Sequence, residues 1–176
     1  GVHNVRNALA AAACAIGAGI DAASIANGLR AFRPVAGRGV RLGTSEGGRL
    51  IDDTYNANPD SVRAAIDLLA GFEGERVLVL GDMGEVGERG PEFHREVGAH
   101  ARERGIDGLF ALGPMARDAA DAFGEGAVHC ADVDSLLAAL RPRLGRSVTV
   151  LVKGSRFMRM ERVVQALAAT LPEGVH

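Results

Sequence analysis

The chain has 176 residues, 47% of them hydrophobic, and a formal net charge of -2. That length supports one well-cored domain with room for a fragment of another, and the apolar content sets the chain apart from disordered sequences. The near-neutral charge gives no ground for nucleic acid or an anionic membrane as partner. No apolar run approaches the roughly 20 residues of a spanning helix and no signal peptide is visible, so membrane insertion is not expected.

Residues 3–33 read as two helices. Asn4-Val-Arg-Asn-Ala-Leu leads into an alanine-rich run to Ile16, which Gly17 and Gly19 stop. Asp21 caps a second helix, in which Ile25, Leu29 and Phe32 recur at helical spacing. Pro34, Gly37 and Gly39 then break the chain, so residues 1–33 and 34–176 are expected to belong to different domains.

The pattern then changes to alternating strands and helices. Residues 40–44 and 49–53 pair as a hairpin across Ser45-Glu-Gly-Gly. Arg76-Val-Leu-Val-Leu-Gly81 is a continuous apolar run of the kind buried on both faces of a parallel sheet. Further strands are expected at 109–112, 127–131 and 148–152, with helices over 61–70, 91–104, 114–123, 134–140 and 157–167. Repeated βα units imply an α/β fold of Rossmann-like type, a doubly wound and mostly parallel sheet of about six strands, one of them antiparallel. The initial helix pair lies outside that alternation and reads as the tail of a preceding domain. The chain does not open on methionine, which also fits a piece of a longer protein. Cys14 and Cys130 stand alone without a motif, so buried thiols in a reducing compartment, the cytoplasm, are expected.

In such sheets ligands bind beyond the carboxyl ends of the strands, and three loops should meet there. The first, Asp53-Thr-Tyr-Asn-Ala-Asn-Pro-Asp60, packs more amides and carboxylates than a turn requires. Gly81-Asp-Met-Gly-Glu-Val-Gly87 follows the most apolar strand. Lys153-Gly-Ser-Arg156 joins the last strand to the last helix and suits an anion at a helix N-terminus, or else caps that helix through Ser155. Of the 20 basic residues only Lys153 is lysine. It is either a chance survivor of a bias toward arginine or a point charge that the planar arginine fork does not replace. A phosphate-cradling G-x-x-x-x-G-K-[ST] loop and a dinucleotide-binding G-x-G-x-x-G are both missing. His94 and His100 fall on different faces of one helix without metal-ligand spacing, and read as surface or packing residues.

In order and wording these pieces resemble the Mur ligases of peptidoglycan synthesis. The resemblance runs through G-V-H-N-V-R-N-A-L-A-A-A from Gly1, P-V-A-G-R from Pro34 and I-D-D-T-Y-N-A-N-P-D-S from Ile51. It continues in V-L-G-D-M-G-E-V-G from Val79 and V-K-G-S-R from Val152. The combination is similar to the branch that adds D-alanyl-D-alanine. The diaminopimelate-adding branch carries D-N-P-R, absent here, and the D-glutamate-adding branch has lysine where Tyr55 stands.

The resemblance implies a three-domain, ATP-dependent enzyme whose substrates are UDP-MurNAc-tripeptide, D-alanyl-D-alanine and ATP. This chain would supply the last helices of its central ATPase domain and the whole C-terminal domain. The P-loop, the magnesium ligands and the carbamylated lysine of the family lie upstream, so no catalytic residue is expected here and the isolated chain should be inactive. Asn4 and Asn7 match H-N-x-x-N, which faces adenine, with helix capping as the alternative. Arg38 matches a hinge-loop arginine that reaches the ATP phosphates, against a plain solvated arginine. Asp53 matches an aspartate bonded to the ribose hydroxyls. Asn58, Asp82, Lys153, Ser155 and Arg156 are the candidates for the dipeptide pocket. The rival reading is a non-catalytic ligand-binding or protein-interaction module of the same fold.

Overall fold

A computed structural model describes residues 2–32 and 35–169, with side chains from residue 5 onward. The chain divides into two units, Gly1–Val35 and Ala36–His176. In the first, α1 (Val2–Gly17) and α2 (Ala22–Ala31) are joined by a turn in which Gly19 takes φ 79°. Asp21 caps α2, its Oδ1 accepting the amides of Ala23 and Ser24 at 3.0 Å. Val5, Leu9 and Ile16 of α1 are exposed. Cys14 is exposed as well, contrary to the expectation of a buried thiol, because it lies on a helix that buries few side chains; Cys130 is buried.

The second unit runs β1 (Val40–Gly43), β2 (Arg49–Asp53), α3 (Pro59–Ala70), β3 (Glu75–Gly81), α4 (Gly90–Glu103), β4 (Gly108–Leu112), α5 (Ala116–Phe123), β5 (Ala127–Cys130), α6 (Val133–Leu140), β6 (Val148–Lys153) and α7 (Glu161–Leu167). The strands form one sheet in the order β1-β2-β6-β3-β4-β5. Only β1 is antiparallel to its neighbour. This is the mixed, mostly parallel sheet that the strand and helix alternation implies.

Side chains alternate across a strand, so a run buried on both faces must be apolar at every position. Strand β3 shows it. Leu78 and Leu80 join one core with Val62, Ile66 and Leu69 of α3 and Val97 of α4, while Val77 and Val79 join the other with Leu136 and Leu140 of α6 and Val163 of α7. Each such fully buried side chain contributes roughly 1.5–3 kcal/mol. Helices α4 and α5 approach closely at Gly98, where a Cβ would overlap the carbonyl oxygen of Ala119.

The last helix departs from expectation. Residues 156–158 form a 3-10 turn, Arg159 takes the left-handed conformation at φ 51°, and α7 starts only at Glu161. No glycine or proline marks that break, so helical periodicity ran straight through it.

Candidate functional site

Strand order alone gathers the three loops. Strand β6 lies between β2 and β3, with Asp53 opposite Lys153 and Lys153 opposite Leu80. The segments after these strands therefore leave the same sheet edge side by side.

Lys153 is not the free point charge that its isolation in the sequence invites. Its ammonium donates to Asp53 Oδ2 at 2.6 Å and to the Asn56 carbonyl at 3.0 Å, and the residue is only 3% exposed. It ties the end of β6 to the loop after β2. Asp53 keeps its other oxygen: among the described residues no donor reaches Oδ1, and the side chain is 26% exposed.

Ser155 does not cap a helix either. Its Oγ accepts the Gly84 amide at 2.6 Å and donates to the Ala57 carbonyl at 3.1 Å, while its own amide donates to the Asp82 carbonyl at 3.0 Å. One buried serine thus joins all three loops.

Asp82 is buried, and its Oδ1 accepts the Ala116 amide at 2.7 Å. Burial raises the pKa of its carboxyl, opposed by the Ala116 hydrogen bond. On the next residue, the Met83 amide donates to His94 Nε2 at 2.9 Å, and His94 Nδ1 contacts the Gly90 carbonyl at 2.7 Å. Since Nε2 accepts, the proton is assigned to Nδ1.

Above this floor stands a more exposed rim. Arg38 is exposed, its guanidinium 4.0 Å from the centroid of the Tyr55 ring. The segment before it is docked by backbone. Gly37 donates to Asp52 Oδ2 at 3.1 Å and accepts the Tyr55 amide at 2.9 Å. Gly37 takes φ 75°, and a Cβ there would lie 2.9 Å from Tyr55 N, so the close approach requires glycine. Asp52 holds the turn from inside, its Oδ1 accepting the Thr54 hydroxyl at 2.6 Å. Asn58 is exposed, and its Oδ1 caps α3 by accepting the Ser61 amide at 2.8 Å, while the Asn58 amide donates to the Ser61 hydroxyl oxygen at 3.1 Å. Arg156 is exposed, with one guanidinium nitrogen 3.5 Å from Glu161 Oε1.

Asp53, Asp82, Lys153 and Ser155 are thus brought into one network, and Arg38, Asn58 and Arg156 stand on segments bordering it. Asn4 and Asn7 belong to the N-terminal unit: Asn7 is exposed on α1, and the side chain of Asn4 lies outside the described residues.

Asp52, Tyr55, Asn56 and His94 are the contributors that sequence reasoning left out of the site. Asp52 carried a signal, since Asp-x-Thr favours a self-bonded turn; His94 carried none beyond its place on a helix.

A ribose hydroxyl can donate to the free oxygen of Asp53, and exposed Arg38 suits a phosphate. Among the described residues no group of three or more His, Cys, Asp or Glu is placed to hold a metal ion. Nor is any described helix long and apolar enough to cross a membrane.

Residues 37–156 match the family model described as Mur ligase, glutamate ligase domain. The chain is 41% identical over 169 residues to the UDP-N-acetylmuramoyl-tripeptide--D-alanyl-D-alanine ligase of Escherichia coli, covering 95% of this chain and 37% of that protein. Among solved structures it is similar to MurF from Acinetobacter baumannii, with TM-score 0.84 and 33% identity over 94% of this chain and 38% of the other. It is also similar to the MurF ligase from Thermotoga maritima in complex with ADP, with TM-score 0.69 and 31% identity over 77% of this chain and 31% of the other. The chain therefore spans little more than a third of the length of the relatives it matches.

Proposed function

The chain belongs to the Mur ligase family, and from that premise we propose that it is the C-terminal part of the ligase that joins D-alanyl-D-alanine to UDP-N-acetylmuramoyl-tripeptide. In this reading the tripeptide carboxylate takes the γ-phosphoryl group of ATP, giving an acyl phosphate and ADP. The dipeptide amine attacks the acyl carbon, the amine loses a proton, the bond to phosphate breaks, and an amide and phosphate remain. Residues 1–33 are then the closing helices of the upstream ATPase domain and 34–176 the C-terminal domain, working in the cytoplasm. Magnesium, if used, is held by the upstream domains.

The task of this chain is positioning. Bringing the amine and one side of ATP to the upstream domain turns an encounter into near-attack geometry. Arg38 and the free oxygen of Asp53 serve ATP in this reading, and the H-N-x-x-N motif assigns Asn4 and Asn7 to adenine. Arg156 and the backbone around Ser155 and Gly84 face the dipeptide. Asp82 and Lys153 act from beneath by fixing the loops, and Asn58 by starting α3. The observation that supports this reading most is the 41% identity over 95% of the chain to a ligase of this activity.

Calorimetric titration of ATP into the isolated chain tests the division of labour. With the phosphate cradle elsewhere, no micromolar binding is expected. A micromolar affinity would instead favour the rival reading, an autonomous nucleotide-binding module.

A further inference from the structure

His94 has both ring nitrogens engaged, is fully buried, and sits one turn into α4. One contact stays inside its own helix; the other leaves it for the Met83 amide, in the middle of the loop over 82–86. That loop is held against its own preference. Glu85 takes φ 58°, a left-handed conformation that costs a residue with a side chain. Three clamps oppose the strain: the Ala116 amide on Asp82, Ser155 Oγ on the Gly84 amide, and His94 on the Met83 amide. Without its acceptor the buried Met83 amide would be left unmet, and the loop would lose its fixed end next to Gly84.

We propose that His94 is a positioning residue for the dipeptide side of the ligase: it touches no substrate, and acts by locking the loop over 82–86 through Met83. This rests on the ligase reading given above. The nucleotide side is anchored separately, by Lys153 on Asp53 and by Gly37 on Asp52. Loss of His94 therefore separates the two substrates.

The test uses the full-length ligase and, for exchange, this chain. Glutamine at 94 can place an amide oxygen near the position of Nε2, whereas asparagine is too short and leucine offers no acceptor. His94→Leu and His94→Asn should each raise KM for D-alanyl-D-alanine by roughly tenfold, with KM for ATP changed less than twofold. His94→Gln should recover most of the loss. In the isolated chain the Met83 amide should lose hydrogen-exchange protection by a similar factor in the Leu and Asn variants, and keep it in Gln.

Dipeptide KM unchanged in a folded Leu or Asn variant of an active enzyme overturns the proposal and leaves the ligase reading intact. Equal rises in KM for both substrates, or equal behaviour of Asn and Gln, would reduce His94 to a packing residue. If the wild-type full-length protein shows no dipeptide-dependent phosphate release, the ligase reading and the proposed role fall together, while the exchange result still reports the latch itself.

Discussion

Replacing Lys153 by methionine keeps most of the buried stem and deletes the charge, leaving the Asp53 carboxylate and the Asn56 carbonyl without their donor. The ammonium lies 2.6 Å from Asp53 Oδ2 and 3.0 Å from Asn56 O. At that separation and an effective dielectric of about 20, the gross attraction is about 6 kcal/mol, much of it offset by desolvating a lysine that is 3% exposed. Removing one member of a buried pair costs roughly 3–5 kcal/mol. Asp53 retains 26% exposure and can recover water on one oxygen, so a loss of about 2–3 kcal/mol is expected. Urea denaturation of the wild type, Lys153→Met, Asp53→Asn and the double variant closes a thermodynamic cycle. The double variant should be more stable than the sum of the single losses predicts, by about 1 kcal/mol or more. Additivity within about 0.3 kcal/mol would refute the pairing as an energetic unit. In the full-length protein, Lys153→Met should impair ATP use, since Asp53 loses the donor that fixes it. A defect confined to the dipeptide would restore Lys153 as a direct carboxylate receptor.

Three further perturbations probe the framework. Burial raises the Asp82 pKa above its unfolded value, so the folded state holds that proton more tightly; stability falls as pH rises from about 3.9 through the raised value. Asp82→Asn keeps an acceptor for Ala116, and its stability relative to wild type should improve as pH rises through that window; a pH-independent difference would contradict the burial effect. Gly98→Ala should destabilise by about 2–3 kcal/mol despite the better helix propensity of alanine, because its Cβ meets the Ala119 backbone, with Ala119 Cα at 2.8 Å; a more stable variant in urea would disprove the close α4–α5 contact. Asn58→Ala should cost about 1 kcal/mol through the lost cap with nearly unchanged dipeptide KM, and a large KM rise at unchanged stability would assign the side chain to ligand binding.

The fold was legible because its signals are local and periodic. The buried part of β3, residues 77–81, is apolar at every position, as expected of a strand covered on both faces. Asn58-Pro-Asp-Ser61 announces the start of α3, and Gly17 the end of α1. The left-handed turn at Arg159 was illegible, since a residue that tolerates helix gives no sign when tertiary packing bends it elsewhere. The gathering of the three loops was legible in part. Motif positions placed Asp53, Asp82, Lys153 and Ser155 at one edge, but whether a side chain faces ligand or protein depends on neighbours distant in sequence. Lys153 meets Asp53 across two adjacent strands, and Ser155 meets Ala57 and Gly84 across three loops. The role of His94 arises from packing of α4 beneath the β3 loop, which no spacing within the helix encodes.

Phosphate release by the full-length protein tests the central claim most directly, with UDP-MurNAc-tripeptide, ATP and an amine substrate supplied together. D-alanyl-D-alanine should support stoichiometric release of phosphate and formation of the new amide, while D-glutamate and diaminopimelate should not. No dipeptide-dependent release, or equal release with either of the other amines, would contradict the account.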